Sequence, residues 1–136
     1  MKKNERMELF LEIYSTYYQE MGIYAGESYK KDRGCAYISA KVICLPKNVL
    51  DDPSEWNIFE FLHEIGHIKT NKVSMRVYEK EYLATQWAAE EANRIGFKVK
   101  SSWKKIYQDY IWHKREICIN KGGKNVPDKE ALQIKW

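Results

Sequence analysis

Apolar positions along the chain fall into four stretches of helical spacing and one shorter alternating stretch. From about Glu5 to Met21, Phe10, Ile13, Tyr14, Tyr17 and Met21 recur at intervals of three and four, and Gly22 supplies a stop. The segment from Gly22 to Gly34 is polar and turn-rich, and predicts no regular element. Cys35 to Leu45 carries Tyr37, Ile38, Val42 and Ile43 and is broken at Ser39 and Ala40, which predicts a short hairpin ended by Pro46. Between Asp52 and Thr70, Trp56, Ile58, Phe59, Phe61, Leu62, Ile65 and Ile68 surround a helix on most sides, so that helix should be buried. Asp52, Pro53 and Glu55 read as its N-cap, first and third positions. A polar turn from Asn71 to Met75 leads to a third helix over roughly Arg76 to Ile95, closed by Gly96. Its stripe of Glu81, Ala84, Thr85, Ala88, Ala92 and Ile95 is narrow and small, while Glu79, Glu90 and Glu91 lie off it. Ser101 or Ser102 caps a fourth helix with Trp103, Ile106, Tyr107, Tyr110, Ile111, Ile117 and Cys118 at helical spacing, ended by Gly122 and Gly123. A further short turn of helix fits Asp128 to Leu132, after Pro127. Together these elements predict an α+β fold: a mostly helical single domain over residues 1–136, with a small β-hairpin or sheet beside the Asp52–Thr70 helix.

Composition narrows the setting. Three cysteines, Cys35, Cys44 and Cys118, are odd in number and lack a CxxC spacing, so they read as reduced thiols and not as a disulfide framework or a thiolate metal site. The basic start MKKNER is followed by an apolar run that Glu8 and Glu12 interrupt, which argues against a signal peptide. No uncharged run approaches the ~18 residues of a membrane span. A cytoplasmic protein is the expectation. The net charge of +4 is uneven: from Lys98 to Trp136 ten Lys or Arg face four Asp or Glu, leaving the rest slightly acidic. The fourth helix, with Trp103, Lys104, Lys105, Tyr107, Trp112, Lys114 and Arg115, would suit a nucleic-acid surface. Its apolar spacing instead turns most of those rings toward the core, so direct nucleic-acid binding is not expected.

The chemistry lies in the buried second helix, which reads HEIGH from His63 to His67. Residues four apart on a helix share a face, so both imidazoles can address one metal ion, with Glu64 on the flank beside it. This is the HExxH arrangement of zinc peptidases, in which the glutamate is a general base toward water. Two histidines and a glutamate on so apolar a helix need a partner, and a metal supplies one. A catalytic zinc commonly takes three protein ligands. The metzincin extension is excluded, because its glycine and histidine positions are Thr70 and Val73 here. His113 lies far along the chain. The small-residue stripe of the third helix, docked near Gly66, would carry Glu81 toward the metal.

HEIGH followed by Glu81, Ala84, Trp87, Ala88, Ala89 and Glu90, in EYLATQWAAE, resembles the E-x-x-A-x-x-[F/W]-A-A-E segment that follows HExxH in ImmA/IrrE-type metallopeptidases. The resemblance covers roughly Gly34 to Ile95, including AYI and CLP stretches before the helix. It implies a zincin-like minimal metallopeptidase with His63, His67 and Glu81 as zinc ligands and Glu64 as catalytic base. It also implies a protein substrate, since members cleave helix-turn-helix repressors of mobile elements and stress regulons. The chain departs from longer members in lacking a recognisable DNA-binding or sensor domain, and in reading EANRIG where many read LLMP.

The expected reaction is hydrolysis of a peptide bond in a cytosolic protein. His113, Tyr78 and Tyr82 are the candidates for a second oxyanion donor. An edge strand of the predicted hairpin would bind substrate backbone, or the hairpin would merely cover the core. The contrasting reading is a zinc-containing module that sequesters a regulatory protein without hydrolysis. The Glu64→Gln variant separates the two, abolishing function in the first case and preserving it in the second.

Overall fold

The computed structural model describes residues 1–25 and 33–136. Four helices and a three-stranded sheet make a mixed α+β fold: α1 (Lys3–Tyr17), β1 (Gly22–Ala25), β2 (Cys35–Tyr37), β3 (Val42–Leu45), α2 (Glu55–Lys69), α3 (Val77–Ile95) and α4 (Ser101–Asn120). Short 3-10 turns at Lys47–Leu50 and Lys129–Leu132 complete the described elements.

The expected hairpin is present as β2 and β3, antiparallel, with Cys35 opposite Cys44 and Tyr37 opposite Val42. All three cysteines are free thiols. The expectation of no regular element after Gly22 needs correction at Gly22–Ala25, which forms β1 parallel to β3. Four residues hold too little pattern to announce a strand, and only pairing with β3 defines this one. Residues 26–32 of that stretch lie outside the described residues. Among the described residues the sheet order is β1-β3-β2, which leaves β2 at an edge.

Three helix boundaries also move, the last being that of α4, which begins at Ser101 with Lys100 and not a serine as its N-cap. α1 ends at Tyr17, and the N–H groups of Glu20 and Met21 both return to the Tyr17 carbonyl, so Met21 reaches the core from a turn. The N-cap of α2 is Ser54 and not Asp52. Ser54 Oγ accepts the Asn57 N–H at 3.0 Å, and the Asn57 side chain accepts the Ser54 N–H at 3.0 Å, a reciprocal capping box. Asp52 is engaged elsewhere, pairing with Arg6 at 2.7 Å.

The core gathers around α2. Phe10 and Ile13 of α1, Ile43 and Leu45 of β3, and Phe59, Phe61, Leu62 and Ile65 of α2 are buried together with Ala88 and Ala92 of α3. The α2–α3 approach is close because the facing residues are small. A Cβ built on Gly66 would stand 2.5 Å from the Ala84 carbonyl oxygen. α3 ends on Gly96, whose φ of 75° is the left-handed cap that the sequence predicts.

Candidate metal centre

The α2–α3 contact brings three predicted ligands to one point. His63 and His67 lie one turn apart on α2 with their rings edge to face, and Glu81 reaches them from the first part of α3. Glu81 Oε2 lies 3.1 Å from His63 Nε2 and 3.4 Å from His67 Nε2, and the two Nε2 atoms are 3.1 Å apart. Donor atoms on a tetrahedron with zinc's usual bond lengths, about 2.0–2.1 Å, stand roughly 3.3 Å apart. The three atoms therefore match one face of such a tetrahedron, and the group could hold a metal ion.

Without a metal, the carboxylate and the two imidazoles hold one another as a hydrogen-bonded group, and a metal binding there would displace a proton from His67. Burial alone would raise the Glu81 carboxyl, but hydrogen bonds from His63 and His67 and their charge hold it far below the usual carboxylate range. For His67, burial opposes the charged form, and the hydrogen bond and charge of Glu81 outweigh it, so its pKa is raised. Thr85, fully buried one turn beyond Glu81, lies 3.3 Å from His63 Nδ1 through its Oγ1. With Nδ1–H donating to that hydroxyl, Nε2 keeps its lone pair for a metal. Sequence inspection placed Thr85 on the docking stripe without recognising this contact.

The centre opens into a cavity of about 580 Å³. Glu64 lines it beside the three ligand residues, and Gly34, Cys35 and Ala36 bring the edge strand to its wall. Comparison with protein-family models, with curated proteins and with solved structures found no match to the chain. What the centre can do follows from its own residues.

The three oxyanion candidates are not at this site. His113 is exposed on α4. Tyr78 is buried with Ile111 and Leu132, and both Tyr78 and Tyr82 line a different cleft, with Arg76 and Lys124. Tyr107, not singled out for this role by the sequence, packs beside the centre instead. Its ring lies 4.8 Å from that of His63 and 5.1 Å from that of Phe59, and it lines the cavity. Burial, and then the charges of Glu60, Glu64 and Glu81, push its hydroxyl well above the usual tyrosine range, so it remains a hydrogen donor. The signal was its place on the Trp103–Tyr107–Tyr110 stripe, which reads equally well as packing.

The expected inward turn of α4's rings is met only in part: Trp103, Tyr107 and Trp112 are half-buried, whereas Tyr110 and Ile106 are exposed. Trp103 meets Trp56 edge-on at 5.6 Å, and the Trp112 indole N–H donates to the Lys129 carbonyl. No helix among the described residues is long and apolar enough to cross a membrane.

Proposed function

We propose that the chain is a zinc-dependent endopeptidase of the ImmA/IrrE type, with His63, His67 and Glu81 as ligands and Glu64 as general base. The convergence of two imidazole nitrogens and one carboxylate oxygen within 3.1–3.4 Å, on the wall of an open cavity, carries this reading. Zinc held there would supply Lewis acidity toward a peptide carbonyl and toward water. Glu64 takes a proton from the attacking water and delivers it to the leaving amine nitrogen, so that one water is consumed per bond cleaved. The Tyr107 hydroxyl donates to the carbonyl oxygen as negative charge develops on it. Substrate backbone adds to the outer edge of β2, whose residues border the cavity. A cytosolic helix-turn-helix repressor is the substrate that the family resemblance suggests.

The test is purification with zinc, followed by mass spectrometry of a purified helix-turn-helix repressor after incubation. Wild type is expected to yield two fragments. Glu64→Gln is expected to keep its zinc, because no ligand is removed, and to yield none. Fragments formed by Glu64→Gln at the wild-type rate would overturn the assignment.

A further inference from the structure

Among the described residues, Glu60 is the one cavity carboxylate to which neither the metal centre nor the proposed reaction gives a task. It is only 6% exposed, on α2 between the fully buried Phe59 and Phe61. Burying a carboxylate is unfavourable unless its oxygens are satisfied. Oε1 accepts the Gly34 N–H at 2.9 Å, and the Trp56 side chain donates a second hydrogen bond. A carboxylate offers about four acceptor positions, and the donors among the described residues fill two of them. Arg33, exposed at the mouth of the cavity, offsets part of the charge.

The surroundings suit a cation. Trp56 and Tyr107 form a tilted pair with ring centroids 5.7 Å apart, and both line the cavity with Glu60. Aromatic faces attract ammonium and guanidinium groups and accept the aliphatic stem that carries them. The setting is also tied to the peptide track. The Gly34 N–H that binds Glu60 immediately precedes β2, and a Cβ on Gly34 would lie 3.3 Å from both Glu60 Oε1 and Glu64 Cγ. The chain thus enters the edge strand between the two glutamates. Glu60 stands one helical turn before Glu64, a rise of about 6 Å, which is close to two residues of extended peptide.

We infer that Glu60, walled by Trp56 and Tyr107, is a recognition site for a cationic nitrogen of the bound peptide, about two residues from the bond cleaved. That nitrogen belongs to a Lys or Arg side chain or to a free amino terminus. The inference rests on the peptidase reading for its substrate class, and its test is separable from that reading.

The probes are ten-residue Ala/Gly peptides in three forms: N-acetylated with one Lys walked through the chain, N-acetylated with norleucine in its place, and unacetylated without Lys. Binding is followed by tryptophan fluorescence and calorimetry on zinc-loaded Glu64→Gln, which holds peptides without turnover. The expected result is about tenfold tighter binding of one cationic form than of the norleucine form, falling to near equality when Glu60→Gln is added. Preference for the Lys peptides identifies a side-chain site, and preference for the free amine identifies a terminus site. Zinc content and circular dichroism of the double variant establish that it is folded. Equal binding of charged and neutral peptides, no binding of any, or an undiminished preference in the folded double variant overturns the inference. Cleavage by the wild type is scored apart. Cleavage without a cationic preference removes the Glu60 site and leaves the peptidase, whereas preference without cleavage does the reverse.

Discussion

At the scale of single residues, Gly66 and Glu60 show how the site constrains its surroundings. Gly66 lies inside HEIGH, where any side chain would press on the Ala84 backbone at 2.5 Å, and backbone cannot swing aside as a side chain tip can. Gly66→Ala is expected to lower unfolding free energy by about 1–3 kcal/mol through overpacking, measured by denaturant titration. It should also weaken zinc binding, because Glu81 and Thr85 flank Ala84 on the displaced segment of α3. Glu60 acts through ionisation. Burial raises its carboxyl from 4.5 to about 7, partly relieved by the Gly34 N–H and reinforced by the charge of Glu64. The folded chain therefore holds this proton more tightly than the unfolded chain does. The associated stability is present below about pH 4.5 and is lost as pH rises through about 7. At about 1.4 kcal/mol per pKa unit the loss is on the order of 3 kcal/mol. Metal-free Glu60→Gln should melt above wild type at pH 8, with the gap closing by pH 5. Thermal melts at the two pH values check this, and an equal gap at both would contradict it.

At the scale of elements, the decisive contact is α2 against α3, and a second clamp ties the last residues to α3 and α4. The Gln108 amide, buried on α4, donates to the Leu132 carbonyl at 2.9 Å and accepts the Ile134 N–H at 2.8 Å. Gln86 on α3 makes the same pair of bonds with Lys135, each at 2.9 Å. These bonds seat Trp136 with its ring 5.9 Å from that of Phe59, one residue before Glu60. Gln108→Ala leaves a buried N–H and a buried carbonyl unpaired, at about 1–3 kcal/mol each. The expected result is a lower melting temperature and faster amide exchange at Ile134, measured by hydrogen–deuterium exchange. Unchanged protection there would show that the segment is held by its apolar contacts alone. The hairpin and the helix periods were legible because each is a local pattern. β1 was not, because its strand character depends on a partner twenty residues away.

At the scale of the whole molecule, a metal at His63, His67 and Glu81 would join the central helix to its neighbour. A ligand that binds only the folded chain stabilises it by mass action, by about 4 kcal/mol at a thousand times its dissociation constant. Zinc should therefore raise the melting temperature and a chelator should reverse the rise, while His63→Ala should show neither response. Differential scanning calorimetry with and without zinc decides this, and an equal response in His63→Ala would place the ion elsewhere.

The sequence by itself determined which side chains can serve: two imidazoles four residues apart share a helix face whatever surrounds them, and the small-residue stripe selects the face of α3 that docks. Both follow from the local geometry of one helix. Which groups complete the site was decided only by the tertiary structure. Tyr107 and Thr85 meet His63, and Glu60 lines the same cavity, from stripes that would look the same in an ordinary core, whereas Tyr78, Tyr82 and His113 are directed elsewhere. Periodicity marks the face that a residue occupies, but the rotation and depth at which helices pack select what that face meets.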